Sequence, residues 1–131
     1  ARARGARSRV EPVQEAVARA VVNLSYEEDI AIALVRTGAV PPIVALLRSP
    51  SPDVQQEATW VIVNLSVCPE NEAALVEHKV LEPLVALLAN AEPSVKAQAV
   101  WALGNVAGDS PTCRDIVLRE GAMQLKRRDK A

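Results

Sequence analysis

An all-α fold, a solenoid of stacked three-helix repeats, is what this sequence predicts, and three observations predict it. The block PPIVALLRSPSPDVQQEATWVIVNLS at 41–66 aligns without a gap on EPLVALLANAEPSVKAQAVWALGNVA at 82–107, an offset of 41 residues. Self-similarity at such a period marks an array in which each repeat stacks only on its neighbours. Inside each block the apolar positions recur at helical rather than alternating spacing, so the Val-rich stretches are not strands. Half the residues are hydrophobic but only 2% are aromatic. Ala, Val and Leu are small enough for helices to approach closely.

Each period divides into three pieces. A short apolar helix is expected over Pro41–Leu47, with Pro tolerated in its first turn. SPSPD then supplies a turn and an N-cap for a longer helix through Leu65. PENEAALVEHK, Pro69 to Lys79, reads as a short amphipathic helix with acids in its first turn, where they complement the helix dipole. One period later the same pieces fall at Leu81–Leu88, Ser94–Val106 and Pro111–Arg119. One period earlier, Asn23 sits in EAVARAVVNLS, so the chain enters on a long third helix. It ends on AMQLKRRDKA, where LKRR stands in place of an apolar short helix. The expected organisation is a basic, flexible tail over 1–9, repeats over 10–122 (about two complete, with partial repeats at the ends), and a basic segment or truncated cap over 123–131.

Composition narrows the function classes. No apolar run approaches the roughly 20 residues of a membrane span, and no cleavage pattern follows the Arg-rich start. The first residue is Ala, which fits a trimmed chain or a fragment. Cys68 and Cys113 are too few for a disulfide framework and lack metal-ligand spacing, so reduced thiols in an intracellular protein are expected. The net charge of −1 hides an asymmetry. Of 15 basic residues, eight lie in 1–9 and 126–130; the seven that remain face 15 of the 16 acids, leaving a body of net −8. Such a surface favours cationic partners and disfavours nucleic acid. The basic ends read first as solvated termini, with Lys126-Arg127-Arg128 or the N-terminal arginines filling a groove as the sharper reading.

The offset also defines three rows of residues on the long helices. Arg19, Trp60 and Trp101 form the first, Asn23, Asn64 and Asn105 the second, and Glu27, Cys68 and Asp109 the third. Within QAVWALGNVAGDS, Gln98, Trp101, Asn105 and Asp109 are three or four apart and share one helix face. An Asn amide both donates and accepts, matching the N–H and C=O of an extended peptide. Exposed Trp faces attract Lys and Arg through apolar contact and cation–π attraction, about 0.5–2 kcal/mol each. Asp109 either pairs with a ligand's charge or caps the following helix, a role Ser110 fills equally well. Arg19 would repel a basic peptide at its own rung, closing the groove at one end, or would meet an acidic residue of the ligand.

The 41-residue period, its three-helix partition and segments such as GAVPPIVALL and EATWVIVNLS resemble armadillo repeats, over roughly residues 10–122. The resemblance implies a right-handed superhelix with the long third helices lining a concave groove. The Trp-to-Asn spacing and the GD motif are similar to importin α, the adaptor family that reads nuclear localisation signals. It implies a groove for an extended Lys/Arg-rich segment at Trp60, Asn64, Gln98, Trp101, Asn105, Asp109 and Asn23, in the cytoplasm and nucleus. Arg19 in the Trp row and Cys68 beside the second rung depart from the family pattern.

Catalysis is not expected, because no Gly-rich phosphate loop, nucleophile motif or paired carboxylate is present. His78 stands alone and reads as structural, and no cofactor or metal is implied. The competing reading is a structural scaffold or self-associating fragment. With about two complete repeats, the end faces stay apolar, and self-association through them or through the basic tails is an expectation.

Overall fold

The computed structural model describes residues 2–108 and 110–130, with side chains described over 12–89, 91–108 and 110–126. Its helices run in order α1 (Arg2–Leu24), α2 (Glu28–Arg36), α3 (Val40–Leu47), α4 (Pro52–Ser66), α5 (Glu72–Glu77), α6 (Leu81–Asn90), α7 (Pro93–Ala107) and α8 (Pro111–Lys130). A 3-10 turn, Pro69–Asn71, precedes α5, and no strand occurs among the described residues. The long helices α1, α4 and α7 stack side by side with α4 in the middle, while α3 packs on α4 and α6 on α7. This is an all-α solenoid.

Local chemistry starts the long helices where the turn signals stand. The Ser51 side chain accepts from the Val54 N–H and Pro52 takes the first helical position, where its missing N–H costs nothing. Pro93 does the same for α7 without a side-chain cap. Leu47 on α3, Ile62 and Leu65 on α4, Leu75 on α5, and Leu81 and Leu84 on α6 are fully buried. Each such side chain contributes about 1.5–3 kcal/mol of burial. Asn71, also buried, donates its Nδ2 to the Leu65 carbonyl at 3.0 Å and to that of Ala31 at 3.4 Å, tying the 3-10 turn to two neighbouring helices.

The bends between first and second helices have a shared geometry. Gly38 takes φ +89° and Lys79, one period on, takes φ +59°. At both, the chain closes with a bond from three residues past the helix end, Ala39 N–H to Leu34 O and Val80 N–H to Leu75 O, the Schellman pattern. The helix axis turns by 93° between α2 and α3.

Two boundaries differ from the sequence reading. The backbone of α1 is helical from Arg2, so no break in secondary structure marks 9/10. At the other end, α8 runs through the expected stop at Arg119 and past the 122/123 boundary to Lys130. The third equivalent of the left-handed position is Glu120, a good helix former. The first two bends bury Val40 or Val80 and Leu81, whereas Gly121 and Ala122 offer no large apolar group to anchor a bend. The helix therefore continues.

Candidate peptide-binding groove

The Asn row is built across the repeat junctions. Asn105 donates its Nδ2 to Ser66 Oγ at 3.1 Å, and Asn64 donates to Ser25 Oγ at 3.0 Å, with the Val22 carbonyl at 3.5 Å. Each serine hydroxyl spends its own hydrogen on its helix, Ser25 on Val22 O and Ser66 on Val63 O, both at 2.8 Å. The serine oxygen can therefore only accept, so the asparagine must offer its NH2 group and leave Oδ1 free. Asn105 is exposed and Asn64 half-buried. Asn23 is exposed and makes no side-chain hydrogen bond among the described residues. The signal for this arrangement was in the sequence: Asn-Leu-Ser recurs at 23–25 and 64–66, then becomes Asn-Val-Ala at 105–107.

The aromatic row is not a parallel-sided slot. Trp60 and Trp101 meet edge to face, centroids 5.8 Å apart at 86°, an arrangement the ring quadrupoles favour. Trp60 Nε1 donates to the hydroxyl of Tyr26 at 2.5 Å. Tyr26 is exposed and follows Ser25; sequence reasoning missed it because Val67 and Gly108 hold its equivalent positions. Trp101 keeps 53% of its surface exposed, so its ring is available to a ligand.

Arg19 does not present a bare positive charge. Its Nη2 pairs with Glu15 at 2.7 Å and its Nε with Glu57 at 3.7 Å. Two carboxylates around one guanidinium offset its charge at this rung. Arg19, Asn23, Tyr26, Glu57, Trp60 and Gln98 line one cleft of about 360 Å³. Gln98 Oε1 is buried there without a hydrogen-bond partner among the described residues.

The third row is not a line of groove acids. Glu27 is the N-cap residue of α2, without a side-chain cap bond. Cys68 is buried, and burial first, then the nearby Glu28 and Glu70 carboxylates, push its thiol up. It lies beside Asn64 in a hollow of 270 Å³ that Ser25, Tyr26 and Glu28 also line. Asp109 lies outside the described residues. Ser110 Oγ accepts from the Cys113 N–H at 3.3 Å and so caps α8. His78 caps the C-terminus of α5, and no cluster of metal ligands occurs among the described residues.

The sequence pattern of the Armadillo/beta-catenin-like repeat matches residues 28–67 and 68–108, more than half of the chain. The chain belongs to the armadillo-repeat family. Its first armadillo repeat comprises α2, α3 and α4 and its second runs from the 3-10 turn through α7, with α1 and α8 outside them. Solved structures agree. A computationally designed armadillo repeat protein for modular peptide recognition is 30% identical at a TM-score of 0.78, over 86% of this chain and 48% of its own. A designed armadillo repeat protein in complex with the peptide (KR)4 is 33% identical at 0.70, over 79% and 44%. An engineered protein is 27% identical at 0.75, over 83% and 46%. The armadillo chain thus spans about half the length of these structures, and no match is found among curated protein sequences.

Proposed function

We propose that this chain is a peptide-binding armadillo module that holds an extended Lys/Arg-rich segment along the stripe of α1, α4 and α7. The observation that carries the reading is the Asn–Ser pairing at both junctions, which leaves Asn64 and Asn105 Oδ1 free to accept from peptide N–H groups. Trp101 offers an apolar face for a side-chain stem, and Glu28 and the acidic body favour cationic side chains. A designed relative has been solved with (KR)4, a peptide of this chemistry. The finer reading is a segment of nuclear-localisation-signal type, as importin α reads, met in the cytoplasm and nucleus.

A fluorescence titration of an alternating Lys/Arg octapeptide tests it, with the wild-type chain against a Trp101→Ala, Asn105→Ala variant. Binding weakened by salt and by the two substitutions is expected. Equal, salt-insensitive binding by both proteins would sink the proposal. Replacing the octapeptide by a nuclear-localisation segment and its Lys→Ala version separates the finer reading from the coarser one.

A further inference from the structure

The 41-residue offset gives the groove the same two places at successive junctions. Arg19 on α1 and Glu57 on α4 hold them at the first junction, Trp60 on α4 and Gln98 on α7 at the second. All four residues line one cleft of about 360 Å³. The second junction pairs an aromatic ring with a neutral amide, and Gln98 Oε1 has no hydrogen-bond partner among the described residues. The first junction carries an ion pair instead.

Two carboxylates hold Arg19, and they hold it unequally. Its Nη2 pairs with Glu15 at 2.7 Å, one turn back on the same helix, and its Nε reaches Glu57 at 3.7 Å across the junction. The Glu15 contact is an i,i+4 pair, which keeps the guanidinium over its own helix face. Glu57 is the more enclosed partner, its side chain 24% exposed against 60% for Arg19. A carboxylate partly withdrawn from solvent is screened less by salt than one on an open surface. Glu57 also lies one turn before Trp60 on the same helix face, beside the path of a ligand's basic side chains. The chain's own cation is there already.

We propose that Arg19 is a specificity-determining residue of the groove: by holding Glu57, it confines the reading of basic side chains to α4 and α7. The ligand is then a Lys/Arg-rich segment with an uncharged residue over α1. A ligand cation over α1 must take Glu57 from Arg19, whereas an uncharged residue leaves the pair intact. The inference rests on the groove reading and adds to it the charge pattern of the ligand. An ion pair at an exposed position is worth about 1.5- to 5-fold in an equilibrium constant, which sets the size of the effect on affinity.

Fluorescence titration of the alternating Lys/Arg octapeptide tests it on the wild-type chain, Arg19→Gln, the double variant Arg19→Gln, Glu57→Gln, and Arg48→Gln. Arg48 is exposed and lies outside the cleft, so its variant controls for the loss of one positive charge. Arg19→Gln should bind about 1.5- to 5-fold tighter than wild type, and Arg48→Gln should change affinity less. The gain should vanish in the double variant, because no carboxylate is left to be freed. Arg19→Trp carries the side chain of its two repeat equivalents and should also bind tighter, so it serves if Arg19→Gln loses helicity. Unchanged or weaker binding by both Arg19 variants overturns the proposal. So does an Arg19→Gln gain that survives in the double variant, or an equal gain from Arg48→Gln. Wild-type binding without the gain defeats this inference alone; no binding by any of the proteins defeats the groove reading and this inference with it.

Discussion

Asn105 and Ser66 lie 39 residues apart in the chain, and the Nδ2 of the first donates to the Oγ of the second at 3.1 Å. The pairing repeats between Asn64 and Ser25 at 3.0 Å. A residue type that is unfavourable inside a helix is thus held by the neighbouring repeat, in one amide orientation. The ladder is both a seam between repeats and a row of outward acceptors.

Ser66→Ala removes the seam without touching the groove surface. Losing the acceptor should cost about 0.5–1.5 kcal/mol of stability and free the Asn105 amide to rotate. A weaker affinity for a Lys/Arg peptide is expected, smaller than that from Asn105→Ala. Urea unfolding and a peptide titration on the two single variants and the double variant check it: the affinity losses should not add.

Trp101→Ala takes away an exposed aromatic face and should lower affinity for a Lys-rich peptide about 2- to 30-fold, the range of one cation–π contact. Tyr26→Phe removes the oxygen that accepts from Trp60 Nε1 and leaves Trp101 untouched. Its effect on affinity should be smaller, with a change in Trp fluorescence. Calorimetric titration and emission spectra compare the two.

Gly38 and Lys79 occupy the same bend in successive repeats, with φ +89° and +59°. A Cβ at Gly38 meets no heavy atom within 4 Å, so the penalty of Gly38→Ala is that of the backbone alone, about 1 kcal/mol. Lys79→Gly relieves the same strain and should stabilise by a few tenths to about 1 kcal/mol. Thermal unfolding of the pair is the measurement, and the two midpoints should move in opposite directions. At Gly108 the constraint is contact instead: a Cβ there would lie 2.6 Å from the Gly104 carbonyl oxygen.

Burial holds the Cys68 thiol above its ordinary pKa, and Glu28 and Glu70 add to the rise. The folded chain keeps this proton longer than the unfolded chain does. The stability it contributes is complete below the unfolded thiol pKa, about 8.5, and is lost as pH rises from there toward the folded value. Cys68→Ser should flatten the decline of stability as pH rises above the unfolded thiol pKa. Alkylation by iodoacetamide at pH 8 should be slower in the folded chain than in urea.

The sequence by itself determined the repeat, its three helical pieces, the stripe of Gln98, Trp101 and Asn105 on one face, and the two Asn-Leu-Ser copies. These are local or strictly periodic features, and helical periodicity plus an offset of 41 residues is enough to read them. Only the tertiary structure decided what the stripe touches. The Trp60–Trp101 edge contact, the Tyr26 hydroxyl on Trp60 and the Glu57 carboxylate near Arg19 come from stacking that sets helix faces against each other, which propensity does not encode. It also decided that α8 runs straight through Glu120. A bend there needs buried apolar side chains after it to repay a left-handed residue, and only packing reveals that Gly121 and Ala122 supply none.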